Sequence, residues 1–126
     1  MTGLGAGSHG WHIHQLANLD MTAENPCAPA YTGGHFNPFQ APSGNYNDNR
    51  RNREVGQIGQ INCDVDDNCV SEQDEDKLIK LNGLRNVLGR SIVIHQDPEY
   101  PGPSGSRFAC AVIVLKEFTE MGNQSD

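Results

Sequence analysis

The stretch Gly10-Trp11-His12-Ile13-His14-Gln15 alternates two apolar side chains with two imidazoles. Successive side chains of a β-strand point to opposite faces of the sheet, so residues two apart share a face. The alternation therefore predicts a strand, over residues 9–16, that turns Trp11 and Ile13 to one face and presents His12 and His14 together on the other. Two imidazoles at this spacing can bind one metal ion.

Other short apolar segments extend this pattern to an all-β domain of antiparallel strands. Four more segments are predicted to be strands: residues 54–62, 77–81, 90–95 and 108–115. The chain has 14 glycines and 7 prolines, and turn residues separate the apolar segments, as is typical of short strands joined by loops. At 126 residues the chain has the length of one domain with a modest core. We expect that domain to span residues 1–118 and residues 119–126 to form a loose tail.

The charge of the chain excludes some classes of partner. The net charge is −7, which argues against binding to nucleic acid or to an anionic membrane. No stretch approaches the roughly 20 consecutive apolar residues of a membrane span. Seven acidic residues lie within residues 64–76. We expect this segment to be a solvated loop that also guards an edge strand, with weak calcium binding as the alternative.

The four cysteines predict two disulfides and an oxidising, extracellular compartment. None of them has the CxxC spacing of a zinc ribbon. Four cysteines allow three pairings. We favour the one in which Cys63 and Cys69 pair locally across an acidic stretch, which leaves Cys27 and Cys110 to pair across the fold. Residues 1–5 lack the basic and apolar regions of a signal peptide, so a signal for secretion would lie upstream.

Two further histidines lie at positions that could complete a metal site. His35 opens the sequence His-Phe-Asn-Pro within a long stretch rich in turn residues, residues 17–53, and His95 ends the predicted strand 90–95. Stretches of that length without secondary structure are usually functional or disordered. Neutral imidazoles suit copper, zinc, nickel and iron, and a set of four nitrogens favours copper. The residues thus indicate a redox centre rather than a hydrolytic one.

Five sequence blocks, in the same order, resemble the copper/zinc superoxide dismutase family. They are residues 10–14, 33–38, 55–60, 89–95 and 105–110. The resemblance implies a Greek-key, immunoglobulin-like antiparallel β-barrel or sandwich, with copper as the cofactor and the superoxide anion as the substrate. It implies that copper is bound by four histidines, namely His12, His14, His35 and His95. It also implies that Arg107 attracts and positions superoxide and that Cys27 and Cys110 form the disulfide of the family.

The chain departs from that family at the positions of the zinc ligands. The resemblance places Ser43, Glu54 and Gln57 where the family has two histidines and an aspartate, so a normal zinc site is not expected. The segment between His95 and Arg107 has only eleven residues, which is shorter than the loop of the zinc-containing members. Both features resemble the copper-only, extracellular branch. We expect Glu54 to take over from zinc in holding His35.

Two supporting positions are less sharply indicated by the sequence. His9 is expected to support the strand of His12 and His14 by a hydrogen bond rather than as a ligand. In the family a carboxylate behind the copper ligands follows the last histidine. Asp97 and Glu99 are both candidates for it.

The resemblance begins near residue 3, where the family already has three preceding strands. We therefore expect an N-terminally truncated barrel with about five strands and an open sheet edge. A homodimer or a complementing chain would cover such an edge. The leading function is a copper-only superoxide dismutase that forms oxygen and hydrogen peroxide. The alternative is a non-catalytic relative, that is, an extracellular copper-binding or structural protein.

Overall fold

The computed structural model describes residues 3–20, 22–45, 47–73, 75–99 and 105–115. Its strands are β1 (Gly7–His14), β2 (Gln57–Cys63), β3 (Cys69–Ser71), β4 (Ser91–His95) and β5 (Arg107–Val112). A short helix, α1 (Pro29–Thr32), and a 3-10 turn, Gly83–Arg85, are the helical elements of the described residues. The five strands form one antiparallel sheet in the order β3-β2-β1-β4-β5. The predicted all-β class is confirmed, and the predicted tail, residues 119–126, lies outside the described residues.

The predicted strand at residues 77–81 is wrong. Within this segment only Lys80 forms a bridge, to Asn86. The Lys80 N–H donates to the Arg85 carbonyl and the Val87 N–H donates to the Lys80 carbonyl, which closes a tight turn around Gly83. Because these backbone groups are used within the turn, they do not join the sheet.

The fifth strand instead comes from the acidic segment that was expected to be a loop. Asp64 accepts hydrogen bonds from the backbone N–H groups of Asp66 and Asn68, which turns the chain back on itself. Cys69 then pairs with Cys63 in the ladder between β2 and β3. The disulfide between these two cysteines holds β3 at the edge of the sheet.

The register of β1 against β4 separates an apolar face from a histidine face. Trp11 lies opposite Ile94 and Ile13 opposite Ile92, and these four side chains belong to the core clusters of the protein. Residues paired in a ladder point to the same face, so the intervening His12 lies on the opposite face. As predicted, β1 turns Trp11 and Ile13 to the apolar face and His12 to the other.

Gly56 joins three segments at the edge of the histidine face. Its carbonyl accepts the Ile13 N–H at 2.8 Å, its own N–H donates to the Phe36 carbonyl at 2.8 Å, and the Phe36 N–H donates to the Ile13 carbonyl at 2.8 Å. A Cβ atom on Gly56 would collide with the Ile13 carbonyl oxygen. Only glycine allows the three backbones to approach this closely.

Two disulfides cross-link the described part of the chain. Cys27 is bonded to Cys110 and Cys63 to Cys69, which is the pairing favoured from the sequence. The first disulfide ties the segment before α1 to β5. Within the described residues, no helix has the length and apolar character needed to cross a membrane.

Candidate metal centre

Four imidazoles converge on one side of the sheet. His12 and His14 come from β1 and His95 from the end of β4, while His35 is joined to His14 by an isolated antiparallel bridge. One ring nitrogen from each of the four lies within 4.8 Å of the others. His12, His14 and His95 are buried, whereas the side chain of His35 is 31% exposed. His35 is therefore the ligand candidate nearest to solvent.

Backbone carbonyls orient two of these rings. His14 donates from Nδ1 to the Gly33 carbonyl at 2.9 Å, and His95 donates from Nδ1 to the Gly105 carbonyl at 3.0 Å. A carbonyl can only accept a hydrogen bond, so each of these rings carries its proton on Nδ1. This arrangement leaves both Nε2 atoms unprotonated.

Carboxylates orient the other two rings. His12 Nε2 lies 2.5 Å from Glu99 Oε2, and His35 Nδ1 lies 3.1 Å from Glu54 Oε1. An imidazole that binds a metal normally donates its other N–H to a carboxylate or a carbonyl. All four rings have such a partner.

The nitrogens that remain fit a metal ion. Nδ1 of His12, Nε2 of His14 and Nε2 of His95 are buried and have no hydrogen-bond partner within the described part of the chain. A buried polar atom without a partner costs free energy of about 1–3 kcal/mol, and native proteins rarely keep several together. A cation bound to the three nitrogens and to His35 would remove this cost, so the donor set fits a metal that accepts nitrogen ligands.

Burial also keeps these histidines in the form that binds metals. It lowers the pKa of His14 to about 3 and the pKa of His95 to about 4, and in both cases the charge of Arg107 acts in the same direction. The pKa of His12 is lowered as well, chiefly by burial, although its hydrogen bond to Glu99 opposes the shift. At neutral pH the three imidazoles are uncharged, which is the ligand form.

Glu54 is linked to the most exposed of the four rings. Its Oε1 atom accepts hydrogen bonds from His35 Nδ1 and, at 3.4 Å, from the Ser43 hydroxyl. Burial alone would raise the pKa of Glu54, but the hydrogen bond and charge of His35 together with Ser43 lower it. Glu54 is therefore a carboxylate in contact with His35 at neutral pH, as the sequence led us to expect.

Glu99, and not Asp97, provides the carboxylate behind His12. Gln57 donates from Nε2 to Glu99 Oε1 at 2.8 Å, and the Gly44 N–H donates to Gln57 Oε1 at 2.7 Å. Asp97 instead accepts the Gly10 N–H on its backbone carbonyl. The sequence could not choose between the two acids because only the path of the chain after β4 decides which one turns inward.

Arg107 lies beside the histidine group and also supports it. Its guanidinium donates to the Cys27 carbonyl at 3.0 Å, to the Thr32 hydroxyl and to the Gly33 carbonyl at 3.2 Å. The Gly33 carbonyl is shared with His14. The arginine therefore holds the disulfide-bonded segment against a ligand candidate and places its charge next to the centre.

The remaining sites predicted from the sequence lie elsewhere. His9 is not part of the metal group. Its two ring nitrogens lie 2.7 Å from the Gln96 carbonyl and 2.9 Å from the Gly5 carbonyl, so it braces the strand. In the described part of residues 64–76, no three metal-ligating side chains come together, and Asp64 is engaged by the backbone of its own turn.

Comparisons with known proteins converge on one family. The model of the family described as copper/zinc superoxide dismutase matches residues 1–113. Superoxide dismutase [Cu-Zn] 5 of Dictyostelium discoideum is 35% identical over 128 residues, which cover 93% of this chain and 78% of that protein. The extracellular superoxide dismutase [Cu-Zn] of Caenorhabditis elegans is 34% identical over 125 residues, covering 90% of this chain and 52% of that protein. This chain therefore spans about half the length of the nematode protein.

A solved structure gives the same answer for the fold. The crystal structure of the clock protein EA4 matches with a TM-score of 0.69 and 31% sequence identity. The match covers 88% of this chain and 72% of that one. The arrangement of strands described above is thus shared with a known protein over most of its length.

Proposed function

The chain belongs to the copper/zinc superoxide dismutase family, and we propose that it is a copper-only superoxide dismutase. The reaction converts two superoxide anions and two protons into oxygen and hydrogen peroxide. The observation that supports this best is the convergence of four imidazoles, each with one nitrogen directed at a common centre and the other held by the protein. Copper bound there would supply the Cu(II)/Cu(I) couple that takes an electron from one superoxide and returns it to the next.

The proposal that zinc is absent rests on the three positions that replace its ligands. Ser43 and Glu54 are in contact with each other, and Gln57 is bonded to Glu99. Their side chains thus have protein partners, and a hydroxyl and a carboxamide are poor ligands for zinc compared with histidine and aspartate. Both relatives named above are called copper-zinc enzymes, so this chain would differ from them here.

Glu54 is the residue that would replace zinc next to His35. As a carboxylate it accepts the Nδ1–H of His35 and so keeps the proton away from Nε2. Nε2 of His35 then faces the other three nitrogens as an acceptor. Glu54 would hold this ring in place whether or not His35 is bonded to copper at a given moment.

Arg107 would bind the substrate. With a net charge of −7 the protein repels anions at long range, so capture of superoxide needs a local positive field. The guanidinium of Arg107 lies near His14 and His95, and its charge adds to the lowering of their pKa values that burial mainly causes. It also offers N–H donors with a fixed direction.

The disulfides and one of the relatives support an extracellular location. Two disulfides and an extracellular relative support secretion, and superoxide is the proposed small-molecule partner. Strand β5 pairs with β4 on one side, and in the described residues no strand pairs with its other side. A second copy of the chain or a complementing strand would satisfy this edge, and sedimentation of the purified protein distinguishes a dimer from a monomer.

The proposed activity is tested by a dismutation assay on the copper-loaded protein. We expect rapid dismutation by the wild type and a loss of at least a hundredfold in His95→Ala, which removes one ligand. His9→Gln is the matched control, because His9 is a buried histidine outside the metal group, and it should retain copper and activity. Stoichiometric copper binding with no dismutation above buffer would refute the enzyme and support a non-catalytic copper-binding protein instead.

A further inference from the structure

A buried chain of hydrogen bonds runs from the loop at Gly44 to the proposed metal ligand His12. The Gly44 N–H donates to Gln57 Oε1 at 2.7 Å, Gln57 Nε2 donates to Glu99 Oε1 at 2.8 Å, and His12 Nε2 lies 2.5 Å from Glu99 Oε2. The residues of this network are almost inaccessible, with exposures of 5% for Gln57, 8% for Glu99 and 2% for His12. Such a network is strong only if every member is satisfied.

The direction of each bond is determined by its first member. A backbone N–H can only donate, so the oxygen of the Gln57 carboxamide must face Gly44 and its NH₂ group must face Glu99. A carboxylate can only accept, so Glu99 must receive hydrogen bonds from both Gln57 and His12. His12 therefore carries its proton on Nε2, which leaves Nδ1 as the nitrogen that lies buried and unpartnered toward the centre.

We propose that Gln57 is a positioning residue that acts through Glu99, the carboxylate behind His12, to set the tautomer and orientation of His12 without a second metal. The identity of the metal rests on the proposed function, but the orientation of His12 does not. Glu99 touches His12 directly, and Gln57 acts through Glu99 by donating a hydrogen bond to its Oε1 atom, which leaves Oε2 to accept from His12. Gln57 thus has a role of its own and is more than a substitute for a lost ligand.

The same hydrogen bonds can be rebuilt with the two residue types exchanged, which gives a direct test. In the double variant Gln57→Glu/Glu99→Gln, the new carboxylate at 57 accepts from Gly44 and from the amide at 99, whose oxygen accepts from His12. The single variant Glu99→Gln cannot satisfy both donors, because its amide presents its own NH₂ group to one of them. Gln57→Leu keeps the side-chain bulk and removes both hydrogen bonds of residue 57.

The first readout is the His12 Nε2–H proton in the NMR spectrum of the metal-free protein. We expect a resolved, slowly exchanging signal in the wild type, its loss or rapid exchange in Glu99→Gln and Gln57→Leu, and its return in the double variant. The second readout is the affinity for Cu(II), measured by competition with a chelator. We expect the two single variants to bind 10–100-fold more weakly, as is usual when a partner of a ligating histidine is removed, and the double variant to recover to within about threefold.

Asn62→Leu is the matched control on the same strand. The side chain of Asn62 bonds to Ser8 and Glu72 and does not touch Glu99, so the control should keep both the His12 signal and the copper affinity. An equal loss in Asn62→Leu, or no recovery in the double variant, would overturn the proposal and leave a general role in folding. A wild type that shows the His12 signal but binds no Cu(II) would refute the proposed function while leaving the positioning role standing.

Discussion

At the scale of single residues, His14 and His95 lose basicity for the same reason that they can bind a metal. Each ring is buried, each gives its Nδ1–H to a backbone carbonyl, and each is near the charge of Arg107. Protonation of Nε2 would place a cation in a site that already contains one. Folding therefore requires both rings to be neutral, and protons that bind to the unfolded chain at lower pH reduce the free energy of unfolding.

We predict that the metal-free protein loses stability as the pH falls below about 6.5. In the folded state the pKa of His14 is about 3 and that of His95 about 4, whereas both are near 6.5 in the unfolded chain. Because the unfolded state binds more protons in this window, acidification favours unfolding, by up to about 1.4 kcal/mol per pH unit for each such histidine. Urea unfolding at pH 7, 6 and 5 measures the slope.

The slope should be smaller in His14→Gln, which has one titrating ring fewer, and unchanged in a variant of an exposed acid such as Asp66→Asn. Measurements above pH 5 isolate the histidines. The pKa of Glu54 is also lowered in the folded state, and Glu54 reduces the stability only when the pH falls below about 4.5, its pKa in the unfolded chain. A stability that is flat between pH 7 and 5 would contradict the buried, neutral state of the two rings.

Arg107 combines two roles that a pair of substitutions can separate. Arg107→Ala removes both the charge and the bonds to the Cys27 and Gly33 carbonyls, whereas Arg107→Lys keeps the charge. We predict that Arg107→Ala lowers the rate at low salt by about tenfold or more and weakens its decrease with added salt. Arg107→Lys should lose rate but keep the salt dependence. Stopped-flow dismutation at several ionic strengths is the measurement.

Copper content decides how that result is interpreted. We expect both variants to retain their copper, because Arg107 touches no unpartnered ring nitrogen. Arg85→Ala removes a positive charge from the turn Gly83–Arg85 and should leave rate and salt dependence as in the wild type. If Arg107→Ala loses its copper, the bonds of Arg107 to the Cys27 and Gly33 carbonyls are needed to hold the metal ligands, and the lower rate of this variant is then a structural effect and not evidence for substrate capture.

At the scale of the elements, the site depends on a backbone junction more than on any loop. Gly56 makes two hydrogen bonds, to Ile13 of β1 and to Phe36 beside His35, and a third joins Phe36 to Ile13, so that β1, the segment of His35 and the start of β2 meet at one point. Two of the proposed ligands, His14 and His35, flank the residues that it holds. Any displacement of this junction changes the distance between imidazoles from different elements.

We predict that Gly56→Ala destabilises the protein by about 1–3 kcal/mol or more, as overpacking usually does, and weakens copper binding. The added methyl group would meet the Ile13 carbonyl oxygen and the backbone of Phe36, neither of which can rotate away. Gly34→Ala is the matched control, since a Cβ there meets nothing within 4 Å although it neighbours His35. Chemical unfolding together with a Cu(II) titration gives both quantities, and equal behaviour of the two variants would refute the junction.

The sequence predicted the elements with a clear alternation and missed those that depend on distant partners. Four strands overlap predicted ones: β1 and β2 because apolar and polar residues alternate along them, β4 and β5 because they are short apolar runs between turn residues. The predicted strand at residues 77–81 has apolar residues too, but its backbone bonds close a turn. β3 was missed because it lies in an acidic segment, and its pairing with β2 beside the disulfide Cys63–Cys69 leaves no alternating pattern in the sequence.

The same limit applies to the site. The four histidines and Glu54 could be named from spacing and family resemblance, since each lies in a short recognisable block. Glu99 could not be chosen over Asp97, and the bond between Gln57 and Glu99 could not be foreseen. These contacts arise only when the segment after β4 folds over β2, and they leave no periodic signal in the sequence.

At the scale of the whole molecule, the described residues bring one group of four histidines together on one face of the five-stranded sheet. The space beside that centre contains protein contacts, because Ser43 meets Glu54 and Gln57 meets Glu99. We predict that the purified protein takes up about one equivalent of copper and well under one equivalent of zinc. Elemental analysis after loading with both metals and extensive dialysis measures the ratio, and a full equivalent of zinc in addition to copper would contradict the copper-only assignment.

Zinc ligands can also be introduced at the three positions where this chain lacks them. The triple variant Ser43→His/Glu54→His/Gln57→Asp restores nitrogen and carboxylate ligands of the kind that bind zinc tetrahedrally together with His35. If residues 43, 54 and 57 face a common point with His35, the variant should gain close to one equivalent of zinc while the wild type does not. Ser43→Ala/Glu54→Gln/Gln57→Asn disturbs the same three positions without adding ligands, and zinc uptake by this control would show that the metal binds elsewhere. Failure of the triple variant to bind zinc, with its fold intact by circular dichroism, would mean that the three residues do not face a common point with His35.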